Sequence, residues 1–379
     1  MRKKIALIGS TGSIGRQVIN VCERYPDLFQ LVAIAANTGG GLFFEQAEKL
    51  RPAFAALRAE GETPAGIPAH TRFARGEEAF EEACGYPDAD VVFIAVTGFA
   101  GLKAALTAIK AKKDIALANK ESLVAGGSLV MPAAERAGVR IIPVDSEHSA
   151  LWQCLAFDRG APFSKLILTA SGGALRDVPL EKLSDMAAKD ALAHPNWDMG
   201  AKITIDCATM LNKGFEVIEA MHLYNAPLEK IEVVMHRESI VHSMVAFADG
   251  AVLAQMSYPS MELPIQLALT YPERLPSNAA PLDLVKLSAL HFSAPDPARY
   301  PCFFLALKCA ERGGDMPCAL NAAGEVAVQA FLHGQIKFTQ IAEIIEETLG
   351  RISPRAAESY ALLEDTDANA RRIARSMLP

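Results

Sequence analysis

The chain has 379 residues, a formal net charge of −7, 51% hydrophobic residues and 21% charged residues. That length accommodates two or three domains, and the composition is that of a globular chain with ample core-forming residues. The absence of a basic block argues against nucleic-acid binding, which needs a clustered cationic face. The seven cysteines (22, 84, 154, 207, 302, 309 and 318) are scattered and form no Cys-x-x-Cys pair. That is the pattern of reduced thiols in a cytoplasmic protein, neither a disulfide framework nor a zinc site.

Arg2-Lys3-Lys4 followed by an apolar run imitates the start of a signal peptide, but the run ends at Gly9, short of the ~7–15 residues such a segment needs. The longest apolar region, 91–109, is broken by Thr97-Gly98, Gly101 and Lys103. It reads as strand, turn and helix, and no membrane partner is expected.

Residues 3–8 form a short β-run. Gly9-Ser10-Thr11-Gly12-Ser13-Ile14-Gly15 follows, then a helical pattern through Ile14, Val18, Ile19, Val21 and Cys22, then a second apolar strand at 31–35. Strand, glycine turn, helix and strand within about thirty residues make a dinucleotide-binding βαβ unit. The glycines permit a tight turn and close approach of backbone N–H groups to a pyrophosphate at the helix N-terminus. The spacing is GxxGxxG, and the alternative is a glycine turn that binds nothing. The second strand ends in Ala36-Asn37-Thr38, without the acid that grips the ribose hydroxyls of NAD. An acid would repel a 2′-phosphate, so its absence favours NADP, although no arginine stands there either.

Residues 90–96 read as a strand buried on both faces, 98–110 as a helix, and 115–118 as a strand. The last delivers Asn119-Lys120-Glu121-Ser122 at its carboxyl end, where ligands of such sheets sit. A surface ion pair opening the helix at 123–137 reads Lys120 and Glu121 equally well. Residues 50–85, rich in Ala, Glu and Arg, read as helix and loop. A strand-like run at 139–143 enters Pro143-Val144-Asp145-Ser146-Glu147-His148-Ser149-Ala150. In extended backbone, residues i and i+2 share a side, so Asp145 and Glu147 are expected to aim their oxygens at one point.

A strand at 165–170 runs into Ser171-Gly172-Gly173, a turn able to offer a hydroxyl and N–H groups to a phosphate, or simply a turn. Segment 192–200 carries His194, Pro195, Trp197 and Gly200 without periodicity, which suits a lid that closes over a ligand; a lone tryptophan packed in the core is the alternative. As one helix, 206–220 places Asn212, Lys213 and Glu216 on one face. Glu216 is then a third oxygen ligand beside Asp145 and Glu147, a set suited to Mg²⁺ or Mn²⁺; a solvated helix face is the alternative. Runs at 230–235, 239–246 and 251–257 alternate as strands, with Asp249-Gly250 as a hairpin turn, and His236, His242 and Ser243 on them read as structural. The stretch 271–299, with prolines at 272, 276, 281, 295 and 297, reads as a linker. Helices at 303–312, 319–333, 338–349 and 367–377 follow, with packing or assembly as their role.

The expected fold class is therefore α/β: a Rossmann-like dinucleotide-binding domain (1–148), an α+β catalytic, metal- and substrate-binding domain with a lid (149–270), a linker (271–299) and a C-terminal helical domain (300–379). From residue types alone, two other functions stay open: a metal-independent NADP oxidoreductase of the semialdehyde or homoserine type, and a nucleotide-sensing regulatory protein.

The motifs GSTGSIG, LANKES, PVDSEHSA, ASGG, HPNW-MG and ATM-NKG-E, in this order and over nearly the whole chain, resemble those of the 1-deoxy-D-xylulose 5-phosphate reductoisomerase family. The resemblance implies a three-domain homodimer. Its activity would be metal-dependent isomerisation and NADPH-dependent reduction of 1-deoxy-D-xylulose 5-phosphate to 2-C-methyl-D-erythritol 4-phosphate, in non-mevalonate isoprenoid biosynthesis. It assigns Asp145, Glu147 and Glu216 to the metal, and Lys120 and Ser146 to the hydroxyl end of the sugar phosphate. Ser171, Asn212 and Lys213 go to the phosphate, His194 and Trp197 to the lid, Thr11, Gly12, Ser13 and Ile14 to the pyrophosphate, and Asn119 and Glu121 to the nicotinamide side. Ala36, Asn37 and Gly200 complete the expected cofactor contacts. Cys207 stands where the family carries a phosphate-binding serine, and a thiol is the weaker donor, a difference of about 1 kcal/mol for one neutral hydrogen bond. Ala36 stands where many members carry a polar or basic residue.

Overall fold

Short runs of consecutive apolar residues dominate the first 120 positions, and they build a parallel sheet covered on both faces. The structure, a computed structural model, describes residues 2–61, 67–156, 162–197 and 199–379; Asp198 of the expected lid lies outside them. The elements run β1 (Lys3–Ile8), α1 (Ser13–Arg24), β2 (Phe29–Ala36), α2 (Gly41–Leu50), β3 (Phe54–Leu57), β4 (Arg72–Arg75), α3 (Glu77–Cys84), β5 (Val91–Ile94), α4 (Ala100–Lys110), β6 (Asp114–Leu117), α5 (Glu121–Ala137) and β7 (Ile141–Pro143). They continue with α6 (Ser146–Ala156), β8 (Phe163–Ala170), α7 (Ala188–Ala191), α8 (Ala201–Ala208), α9 (Leu211–Leu223), β9 (Ile231–Met235), β10 (Val241–Phe247) and β11 (Val252–Met256). The chain closes with α10 (Glu262–Thr270), α11 (Leu284–Leu287), α12 (Pro301–Arg312), α13 (Met316–Leu332), α14 (Gln340–Gly350) and α15 (Tyr360–Arg375).

Two compact units form. The first contains Met1–Ser122, Val130–Asp145 and Met261–Asn278. Its sheet has seven parallel strands in the order β4-β3-β2-β1-β5-β6-β7. Chain order reverses around β1, which lies between β2 and β5, and the carboxyl ends of strands at such a reversal form the crevice where nucleotides bind. Ile5 to Ile8 and Val92 to Ile94 have no exposed surface. Residues 50–85, expected as helix and loop, instead supply strands β3 and β4 before α3. β4 reads Arg-Phe-Ala-Arg and lies at the sheet edge, partly exposed, so it carries no apolar run to reveal it. Helix α10 also belongs to this unit, and its Gln266 Nε2 donates to Leu275 O, beyond the helix, at 2.7 Å. The first residues of the proline-rich stretch are thereby packed.

The second unit contains Leu123–Leu129, Ser146–Ser260 and Ala279–Pro379. Its four-stranded sheet has the order β11-β10-β8-β9. β10 runs antiparallel to both neighbours, whereas β8 and β9 are parallel. The expected hairpin is present: Gly250 takes φ +90° and Ala251 N donates to Asp249 Oδ1 at 2.9 Å. Helices α8 and α9 share one core with the C-terminal helices, through Ile205, Leu211, Phe215 and Ile218 against Ala306, Leu320, Ala323 and Ile345. The single helix expected at 206–220 is two, because Met210 adopts φ +56° and ends α8 before α9 begins. All seven cysteines are free, and no described helix is long and apolar enough to cross a membrane.

The C-terminal helices are tied at Asp315, which is fully buried. Its carboxylate accepts from Arg355 N at 2.8 Å, Arg355 Nε at 3.1 Å and Thr366 Oγ1 at 2.8 Å. Asp315→Ala strands these donors and is expected to cost about 2–4 kcal/mol, since unpaired buried polar groups keep their desolvation penalty. Chemical denaturation of the purified variant measures that loss.

Candidate active site

The nucleotide side of the first unit starts at the turn after β1. Gly9 takes φ +97°, and a Cβ there would come within 2.5 Å of Ala95 O. A Cβ on Gly15 would lie 2.2 Å from Gly9 O, so α1 can start this close to β1 only with glycine at 15. Gly12 is the N-cap of α1, with no side-chain cap and no acid in the first turn. Gly12 and Ser13 are exposed and Thr11 and Ile14 half-exposed, so the amides at this helix start can meet an anion. Ala36 is buried at the end of β2 and Asn37 is exposed beyond it.

Asn119 organises the end of β6. Its Nδ2 donates to Val96 O at 3.0 Å, Gly98 O at 3.2 Å and Glu121 Oε2 at 2.8 Å, while its Oδ1 accepts from Ser122 N at 2.9 Å. The two loops that follow β5 and β6 are thus fixed to each other. Lys120 and Asp145, both buried, form an ion pair at 2.5 Å. The surface-pair reading of Lys120 with Glu121 therefore does not hold: Lys120 turns inward to Asp145, and Glu121 to Asn119.

The second unit gathers the other candidate residues. Asp145 and Glu147 were expected on extended backbone, but Ser146 opens α6 and Glu147 sits in its first turn. A helix N-terminus favours a carboxylate there, and Ser146 Oγ donates to it. From α9, Asn212 Nδ2 and Lys213 Nζ both donate to the Glu216 carboxylate, which confirms the shared face. Lys213 Nζ also reaches Glu147 Oε1 at 2.7 Å. Glu147 and Glu216 offer oxygens within 4.8 Å of each other. Glu216 has no exposed surface. Burial acts to lower the Lys213 pKa, yet the two carboxylates outweigh it and hold the ammonium above its ordinary value. An all-oxygen, carboxylate-rich pair of this kind fits a hard divalent cation. Next to Glu147 on α6, and three residues beyond Glu216 on α9, His148 Nε2 lies 3.1 Å from Glu219 Oε2, both buried. Sequence reasoning gave this pair no role.

The residues expected to meet the phosphate begin where β8 ends. Gly173 takes φ +70°, and a Cβ there would meet Ala208 Cα at 2.5 Å, so the Ser171-Gly172-Gly173 turn presses on the end of α8 beside Cys207. Gly173 N donates to Ser171 Oγ at 3.2 Å, and Ser171 Oγ lies 3.0 Å from His194 Nε2. His194 Nδ1 accepts from Asn196 N at 3.1 Å and Trp197 N at 3.0 Å. Nδ1 is therefore the unprotonated nitrogen, and Nε2–H donates to Ser171. The segment expected as a lid is held by Asn196, whose Nδ2 donates to Arg237 O at 2.7 Å and Ser239 Oγ at 2.8 Å. Trp197 packs edge-on against His242 at 6.0 Å between ring centroids.

His242, read from sequence as structural, joins the two clusters. Its pKa is lowered first by burial, and it feels the opposing charges of Glu147 and Lys213. Its Nε2 pairs with Ser257 Oγ at 2.9 Å. Arg176 also escaped sequence reasoning; its Nη1 donates to Ser171 O at 2.9 Å and Arg237 O at 3.0 Å. Neither residue lies in a motif; the pairing of β8 with β10 brings His242 to the site, while Arg176 follows the Ser171 turn in the chain. Gly200 is the exposed N-cap of α8, in a different unit from the glycine turn.

Burial, then the Arg176 charge, brings the His194 pKa down to about 4. Its neutral form is stabilised in the folded chain, so that contribution is complete above the ordinary value of 6.5 and is lost as pH falls from 6.5 toward about 4. A ring-proton NMR titration is expected to place the His194 midpoint near 4, and His194→Gln should flatten stability over that window.

The chain matches three family models: "1-deoxy-D-xylulose 5-phosphate reductoisomerase" over residues 5–127, its "C-terminal domain" over 141–224, and "DXP reductoisomerase C-terminal domain" over 256–373. A reductoisomerase of that name from Geobacillus kaustophilus is 50% identical over 99% of this chain and all of its own length. One from Bacteroides thetaiotaomicron is 46% identical over 100% of this chain and 98% of its own. Among solved structures, the Zymomonas mobilis enzyme in complex with NADPH aligns with TM-score 0.90 and 38% identity, covering 100% of this chain and 99% of that one. A DOX-P reductoisomerase in complex with NADPH, fosmidomycin and magnesium aligns with TM-score 0.92 and 36% identity, covering 99% and 98%. With matches that span its length at this identity, the chain belongs to the 1-deoxy-D-xylulose 5-phosphate reductoisomerase family.

Proposed function

We propose that this chain isomerises 1-deoxy-D-xylulose 5-phosphate and reduces the product with NADPH to 2-C-methyl-D-erythritol 4-phosphate, in non-mevalonate isoprenoid biosynthesis. The observation that carries the reading is the buried Lys213 ammonium, held at 2.7 Å from Glu147 and hydrogen-bonded to Glu216, with both carboxylates facing one point. Asp145, two residues before Glu147, joins them to hold Mg²⁺ or Mn²⁺. When bound, the cation supplies Lewis-acid stabilisation of negative charge on substrate oxygens, and NADPH supplies the hydride.

The chain's own residues do the positioning. Lys120 and Ser146 bind the hydroxyl end of the substrate. Ser171, Cys207, Asn212 and Lys213 bind the phosphate, with His194 Nε2–H as a further donor. Trp197 covers the substrate and excludes water. The phosphate is remote from the carbons that change partners, so its binding energy is available to hold the lid over them. Thr11, Gly12, Ser13 and Ile14 bind the pyrophosphate, Ala36 and Asn37 the adenosine end, and Asn119, Glu121 and Gly200 the nicotinamide side.

The division into an NADPH-binding domain to residue 148, a catalytic domain to 270, a linker to 299 and a helical domain beyond belongs to the same reading. So do a cytoplasmic location, which the free cysteines support, and a homodimer. A second copy would cover apolar side chains such as Val252, Val285 and Phe292, which are 53%, 89% and 47% exposed.

Glu216→Gln keeps the shape and removes the charge. NADPH titration of that variant is expected to match the parent, while NADPH oxidation with deoxyxylulose phosphate and Mg²⁺ falls at least ~100-fold, as for loss of a group that stabilises developing charge. Undiminished turnover at saturating Mg²⁺ would overturn the metal assignment, and a parent chain that oxidises no NADPH with this substrate would overturn the function.

A further inference from the structure

The end of β2 lacks both the acid of an NAD site and the arginine of an NADP site. Sheet order supplies a cation from elsewhere. In the register of the parallel strands, Ala36 pairs with Leu57, and Leu57 pairs with Arg75. Arg75 thus ends β4 level with the end of β2, two strand spacings or about 10 Å away. Beyond Ala36 the chain reads Asn37-Thr38-Gly39-Gly40-Gly41, exposed and free of acids until Glu45. Gly39 lies against the ends of β3 and β4. A Cβ there would come 2.6 Å from Leu57 Cδ1 and 3.6 Å from Arg75 Nη2.

The guanidinium is oriented toward that turn. Arg75 Nη1 is anchored on Ala59 O at 3.2 Å, and Ala59 N in turn donates to Asn37 O at 2.8 Å. Nε is buried with no hydrogen-bond partner among the described residues. The neighbouring arginines are spent. Arg58, at the end of β3, forms a fork with Glu77 at 2.6 and 3.3 Å, and Arg72 pairs with Glu82. Arg75 has no carboxylate in ion-pair contact among the described residues. Glu60 lies over Gly76, the residue after Arg75. Its charge is therefore available to a dianion, in a planar fork suited to phosphate oxygens.

We propose that Arg75 is the residue that selects NADPH over NADH, by binding the 2′-phosphate of the adenosine ribose above the 37–39 turn. This rests on the NADPH-dependent reading given above and names the specificity-determining side chain within it. Asn37 and Thr38 add neutral donors to the same phosphate, and Arg58 remains with Glu77.

The test uses the full chain and binding alone. Nicotinamide fluorescence titrations give Kd for NADPH and NADH, and displacement by 2′,5′-ADP against 5′-AMP isolates the adenosine end. In Arg75→Gln the NADPH Kd is expected to rise about 10- to 100-fold, the loss of a charge-assisted hydrogen-bond pair. The NADH Kd should stay within about twofold, which also reports an intact fold. 2′,5′-ADP should lose its advantage over 5′-AMP, and Arg75→Lys should keep part of it. Arg58→Gln should leave the NADPH preference in place. Retention of that preference in Arg75→Gln, or its loss in Arg58→Gln alone, would overturn the assignment to Arg75. A parent chain that binds neither nicotinamide nucleotide would overturn the underlying reading as well.

Discussion

The second unit depends on a buried ammonium between two carboxylates. Lys213 and Glu216 are a helical i, i+3 pair, and on an exposed helix such a pair is worth a few tenths of a kcal/mol. Here both are removed from water, and Glu147 arrives from 66 residues earlier in the chain. Charges taken out of water are tolerated only when paired and hydrogen-bonded. Each partner of this set would be costly without the others, so the set fixes where α6 meets α9. It also leaves an excess of negative charge around one cation, a state poised to accept a divalent ion.

That electrostatic demand explains why so much apolar structure surrounds the cluster. α9 is buried along most of its length, between the mixed sheet and the C-terminal helices. The helices of the last eighty residues contribute none of the candidate site residues. Their burial keeps water from the charges, and Asp315 at the start of α13 uses the same device of a hydrogen-bonded buried carboxylate to hold α13 to α15 and to the segment before it.

The features legible in the sequence were those with a local signature. β1, β2 and β5 are continuous apolar runs, the glycine turn has fixed spacing, and Asn212, Lys213 and Glu216 recur at helical intervals. What escaped depended on distant partners. β3 is only four residues long and β4 is half arginine, so both are strands because a neighbour pairs with them and not because of their composition. Glu147 was read onto extended backbone, since nothing in Asp145-Ser146-Glu147 announces a helix start except the short polar residues themselves. His242 and Arg176 carried no signal, because the contacts of His242 arise when β10 pairs with β8, and those of Arg176 when the turn after β8 meets the 236–239 turn.

The left-handed backbone at Met210 has a consequence for aim. A continuous helix from α8 into α9 would advance its side chains by a fixed 100° per residue, and the direction of the 212–213–216 face would be dictated by the phase of α8. One torsion in the disfavoured region, at a cost of roughly 1–2 kcal/mol, breaks that dependence. The helix that presses on the Ser171 turn and the helix that bears Glu216 are therefore free to point independently, though only two residues separate them. Met210 has 1% of its surface exposed, so its side chain is committed to the core while its backbone sets the angle. The orientation of the carboxylate is thus encoded at a position that offers the reaction no functional group.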